Sequence, residues 1–120
     1  MENTIPGFMS ELELSVLESL FSNYNYSGCI GVEVGSLFGR SSLQIAQSIS
    51  KGTLYCIDLW SGCKIYTNFS DEHNSKHNFP PNGSQCDLET FLNNTARCKN
   101  IIPIKGKSPE AVRNWSQQID

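Results

Sequence analysis

The sequence predicts an α/β fold in which a parallel sheet of about three strands, in the order 3-2-1, is flanked by helices. Three observations predict it. Short apolar runs rich in β-branched residues alternate with amphipathic stretches of helical period. Gly35 and Gly39 mark a tight turn between the first run and the helix after it, and Asp58 closes the second run. At 120 residues the chain has room for one domain.

Ser10-Glu11-Leu12-Glu13 fits a capping box, with Ser10 as N-cap. A packing helix from Glu11 to about Asn23 follows, with Leu12, Val16, Leu17, Leu20 and Phe21 as its apolar face. Cys29 to Val34 reads as a strand buried on both faces. From Ser41 a helix presents Leu43, Ile45, Ala46 and Ile49 to the core, and Lys51-Gly52 closes it. Thr53 to Ile57 is a second buried strand, ending in Asp58.

Ser61 to Gln85 lacks periodicity and contains Pro80-Pro81 and Asn82-Gly83, so a long loop outside the core is expected. A lid and a disordered insert both stay open. Asp87 to about Arg97 reads as a helix burying Leu88, Phe91, Leu92 and Ala96. Ile101-Ile102-Pro103-Ile104 is the third strand, and its proline places it at a sheet edge. Ser108 as N-cap and Pro109 at the first helical position lead into Glu110 to Trp115. Gly106-Lys107-Ser108 is not a phosphate-binding P-loop, because Ile101 stands where that motif needs its first glycine.

Glycines at a strand-to-helix turn let a ligand approach the backbone, and the free amides of the helix start favour an anionic group. An acid closing the next strand can accept ribose hydroxyls. Gly35 and Gly39 are separated by three residues, unlike the G-x-G-x-x-G of dinucleotide sites, which disfavours NAD. Glu33, at the end of an apolar strand, needs a partner to stay charged.

Glu33-Val34-Gly35-Ser36-Leu37-Phe38-Gly39-Arg40-Ser41-Ser42, followed by Ile57-Asp58-Leu59-Trp60, resembles the class I S-adenosylmethionine-dependent methyltransferases, with small-molecule O-methyltransferases the nearest subgroup. The resemblance implies a Rossmann-like half-fold with S-adenosylmethionine as cofactor. It places Glu33, Gly35, Ser36 and Gly39 around the methionine end, Ser41 on its carboxylate and Asp58 on the ribose. Leu59 and Trp60 then lie near the adenosine. It also assigns Gly106 and Ser108 to the adenosine pocket, and a bare cap-and-turn reading of those two stays open. Ile119-Asp120 is where a fourth strand is expected to begin, so residues 1–120 are expected to form a single partial domain, truncated before strand 4. Most of the acceptor site would lie beyond that point, which leaves the catalytic residues unknown.

Net charge −3 and a pI near 5.3, with no basic cluster, argue against nucleic acid and anionic membranes as partners. No leader or long apolar span is read, and the five cysteines suggest reduced thiols in a cytoplasmic protein. Cys63, His73, His77 and Cys86 match no zinc spacing, so no metal is expected. The expected partner is a small-molecule acceptor, and an open edge on the first strand is expected to be covered by homodimerisation.

Overall fold

In a computed structural model that describes residues 3–65 and 84–120, the first helix starts as its composition dictates. The Ser10 hydroxyl accepts the Glu13 amide at 3.2 Å and the Glu13 carboxylate accepts the Ser10 amide at 2.7 Å, opening α1 (Glu11–Phe21). Its buried face differs from expectation. Leu14 is buried and Leu17 and Phe21 pack on the core, whereas Leu12, Val16 and Leu20 are exposed, Leu12 by 75%. Both stripes fit a period of about 3.6 residues, so only the packing partner decides between them.

β1 (Ile30–Val34) and β2 (Thr53–Asp58) pair in parallel, with Ile30 opposite Thr53 and Val34 opposite Ile57. Between them α2 (Arg40–Ser48) buries Leu43, Ile45 and Ala46, with Ile49 buried just past its end. The return into β2 depends on Gly52. A Cβ there would lie 2.0 Å from the Cys29 sulfur.

β3 (Ser61–Ile65) pairs antiparallel with β4 (Ser84–Asp87) as a separate two-stranded sheet, which corrects the expectation of a loop throughout Ser61 to Gln85. The pair forms through backbone hydrogen bonds, which need no apolar alternation. The lid and disordered-insert readings, Pro80-Pro81, His73 and His77 fall on 66–83, outside the described residues.

Asp87 caps α3 (Leu88–Asn94) by accepting the Thr90 amide at 2.8 Å. This helix is shorter than expected. It buries Phe91, and Thr95 just beyond it, while Leu92 and Ala96 are exposed. β5 (Ile101–Lys105) pairs in parallel with β2, Pro103 opposite Cys56, and α4 (Ser108–Arg113) follows. Lys107, not Ser108, is the N-cap of α4, with no side-chain capping bond, and Pro109 sits in its first turn.

The parallel sheet therefore runs β1-β2-β5, the expected 3-2-1 order with the proline strand at one edge. β2 is central. β1 is the other edge, and its exposed Val34 corrects the expectation of burial on both faces. There the chain end meets β1: Asp120 donates its amide to the Ile30 carbonyl at 3.0 Å and accepts the Ile30 amide at 2.8 Å. That contact lies where a fourth strand was expected to begin. The Tyr26 hydroxyl also bonds Asp120, which pushes its pKa up to about 12. Among the described residues, no helix is long and apolar enough to cross a membrane.

Candidate functional site

At the carboxyl ends of the three parallel strands the chain turns away three times, after β1, β2 and β5. These turns are tied together: Gly35 donates its amide to the Ile57 carbonyl at 2.8 Å and Gly106 donates its amide to the Asp58 carbonyl at 2.9 Å. They enclose an open cleft of about 440 Å³, in which Gly35, Asp58, Leu59, Gly106 and Ser108 come together. Ligands of open parallel sheets bind at this end.

Gly35 has φ +83°, and a Cβ added to it would meet nothing within 4 Å. Its bareness serves the cleft, since no protein atom needs the space. Gly39 is different. It has φ +94°, and a Cβ there would stand 2.6 Å from the Thr95 methyl and 3.2 Å from the Phe91 ring, so this glycine lets α2 pack against α3. Gly39 is not among the residues that line the cleft, and it stands as the N-cap of α2.

Asp58 holds the turn. Its Oδ2 accepts the Leu37 amide at 2.9 Å and its Oδ1 accepts the Trp60 amide at 3.0 Å. Leu37 and Trp60 are the two non-glycine residues with positive φ, +53° and +40°, among the described residues. The Trp60 indole donates to the Leu37 carbonyl at 2.7 Å, and its ring is 1% exposed, packed on Phe91 at 4.7 Å. Trp60 is thus a core residue and not part of the cleft wall, while Leu59 is exposed beside it. The positive φ at Trp60 sends the two neighbours in different directions.

Glu33 finds the partners its charge requires. Ser41 donates its hydroxyl to one carboxylate oxygen at 2.5 Å, and Ser42 donates to the other. Ser41 therefore spends its proton inside the protein, and the first-turn amides of α2 remain the donors for an anionic group. The buried Ser36 hydroxyl has no oxygen or nitrogen partner and lies beside the Cys56 thiol. Burial, aided by the nearby Glu33 charge, pushes that thiol up to about 12 and keeps it protonated.

Arg40 is the residue that sequence reasoning missed. It is 7% exposed, with Nε donating to the Met9 carbonyl at 2.7 Å, Nη1 donating to the Asn3 and Ile5 carbonyls, and Nη2 on Glu11 at 2.9 Å. The available signal was its place. A cation in the first turn of a helix opposes the helix dipole, so it should serve something else. Here it ties residues 3–9 across the glycine turn.

The sequence matches no family model and no curated protein. Solved structures do match. Cofactor-bound Rv0187 from MTB superposes with a TM-score of 0.57 at 12% identity, over 93% of this chain and 42% of that one. A protein assigned as an O-methyltransferase from Klebsiella pneumoniae gives 0.55 at 14% identity, over 95% of this chain and 42% of its own. The chain shares a Rossmann-like α/β fold with part of each of these proteins. The chain spans less than half the length of either protein. Among the described residues no group of three His, Cys, Asp or Glu side chains is placed to hold a metal.

Proposed function

We propose that this chain forms the cofactor-binding half-site of an S-adenosylmethionine-dependent methyltransferase acting on a small molecule. The observation that carries the reading is the alignment of Gly35, Asp58 and Gly106 at the ends of three adjacent parallel strands around one cleft. When bound, the cofactor supplies a methyl group activated on a sulfonium. The chain supplies the seat. Gly35 leaves its approach open. Each Asp58 oxygen uses one acceptor site on a backbone amide and keeps another for a ribose hydroxyl. Leu59, Gly106 and Ser108 flank the place of the base, and the α2 amides face its anionic tail.

Methyl transfer by in-line displacement asks the protein for alignment and for a group that makes the acceptor nucleophilic. Asp58 and Lys107 are the charged residues of the described cleft, and the first is committed to the turn. The acceptor-side catalytic residues therefore remain unassigned. Cys29, Cys56 and Cys98 are free thiols, which favours a reducing, cytoplasmic setting.

A second reading is a non-catalytic half-module that dimerises along β1. The two amides already held by Asp58 favour it, because they give that acid an architectural task without a ligand. Calorimetric titration with S-adenosylhomocysteine and with NAD separates the readings. Saturable binding of the former alone, lost in a folded Asp58→Ala, is the result expected. A folded wild-type chain that binds neither, and sediments as a dimer, would put the module reading in its place.

A further inference from the structure

One face of α1 is left over once the core is packed. Leu12, Val16 and Leu20 recur every four residues along it, and Tyr24 continues the row at the end of the single helical turn Ser22–Tyr24. All four are between 52% and 75% exposed. Residues four apart on a helix lie nearly above one another, so the row is a ridge of large apolar side chains. A single exposed leucine is ordinary, whereas an unbroken row of four marks a surface that another molecule covers.

Beside the ridge runs a trough. Ser15 and Ser19 form the neighbouring row, and their hydroxyls donate back along the helix, to the Glu11 carbonyl at 3.0 Å and the Ser15 carbonyl at 3.2 Å. Hydroxyls satisfied in this way can be covered without stranding a donor. The charges of the face point the same way. Glu11 is held by Arg40 at 2.9 Å and Glu13 by the Ser10 amide at 2.7 Å, so a basic partner would find little charge to pair with. α1 has no lysine or arginine, which is the wrong composition for a helix lying on anionic lipid. A second copy of the helix does fit, because each apolar ridge can enter the other's serine trough at a crossing of about −50°. The four ridge side chains offer roughly 400 Å² per copy, and with the serine row and flanking turns a two-fold pairing buries about 1,000 Å², the lower end for a specific interface.

We propose that the ridge of Leu12, Val16, Leu20 and Tyr24 is the surface by which two copies of this chain associate, α1 crossing α1 about a two-fold axis near the middle of the ridge. An interface of this size makes a reversible dimer with a dissociation constant on the order of micromolar. None of the ridge residues lines the cleft at the strand ends, so the association is independent of the cofactor reading. It also uses a different surface from the β1 edge.

Sedimentation equilibrium of the chain from about 1 to about 500 μM tests the pairing. The wild type is expected to pass from monomer to dimer across this range. Val16→Glu and Leu20→Glu each place a charge in the middle of the ridge and are expected to raise the dissociation constant about tenfold or more. Both side chains are exposed, so the melting temperature of the dilute protein should hardly change. The wild type gives the same answer without substitution: on dilution, amide resonances of residues 12–24 are expected to shift with the loss of dimer while those of Ile30–Val34 stay in place. A chain that is monomeric at the highest concentration overturns the proposal. A dimer that neither substitution weakens, with dilution shifts along β1 instead, overturns it as well and places the contact at the sheet edge.

Discussion

The Asp58 carboxylate accepts the Leu37 amide at 2.9 Å, joining the end of the second parallel strand to the turn that follows the first. With the Trp60 amide on its other oxygen and the Trp60 indole on the Leu37 carbonyl, one acid fixes two residues in left-handed conformations. Such conformations are unfavourable for residues with a Cβ, by about 1–2 kcal/mol each, and persist where surrounding bonds over-determine them. The acid that is read as a ribose ligand is therefore also the keystone of the turn.

Asp58→Ala should for this reason cost stability as well as binding. It leaves two backbone amides without their acceptor, each at roughly 1–3 kcal/mol where water cannot replace it. Urea denaturation is expected to show a loss of about 2–4 kcal/mol with an unchanged slope. Asp58→Asn keeps one acceptor oxygen and should lose about half as much. A fully stable Asp58→Ala would mean that Leu37 and Trp60 hold their conformations without the carboxylate.

The two glycines of the turn should fail differently when substituted. Gly39→Ala forces a Cβ to within 2.6 Å of Thr95 at φ +94°, so it should separate α2 from α3 and destabilise the fold by about 2–4 kcal/mol. Gly35→Ala meets open space and carries only the left-handed penalty of about 1–2 kcal/mol, yet it fills the approach to the cleft. Thermal melting and calorimetry on both variants give the comparison. Gly39→Ala is expected to melt well below Gly35→Ala, and Gly35→Ala to bind S-adenosylhomocysteine more weakly than its stability loss explains.

How far the sequence could be read follows from the range of the forces involved. The strand, glycine turn, helix and strand were legible because each is set by local periodicity and by glycine's backbone freedom. The sheet order followed from the parallel crossover and from Pro103. The stripe that α1 buries was not, since Leu12, Val16 and Leu20 repeat as regularly as Leu14, Leu17 and Phe21, and only the facing surface separates them. Nor was the tie from Arg40 to residues 3–9. The backbone carbonyls that Arg40 reaches lie 31 to 37 residues away and carry no side-chain signature. The burial of Trp60 was not legible either, because its positive φ is not written in its identity.

Acid should loosen α3 before the chain is otherwise affected at its capped helices. Hydrogen bonds from the Thr90 side chain and backbone hold the Asp87 carboxyl below its usual pKa of 3.8. A depressed carboxyl pKa means that the folded state binds its proton less readily than the unfolded state. Its contribution is therefore complete above pH 3.8 and disappears as the pH falls through the lower folded value. The carboxylate bonds only within the first turn of α3, so the effect should be confined to the cap: amide exchange across Leu88–Asn94 is expected to accelerate below that pH. Asp87→Asn retains an accepting oxygen for the Thr90 amide and cannot titrate. Its α3 exchange should then follow only the intrinsic pH dependence of amides through the same range. An identical acid-induced acceleration in Asp87→Asn would show that the loosening of α3 comes from another group.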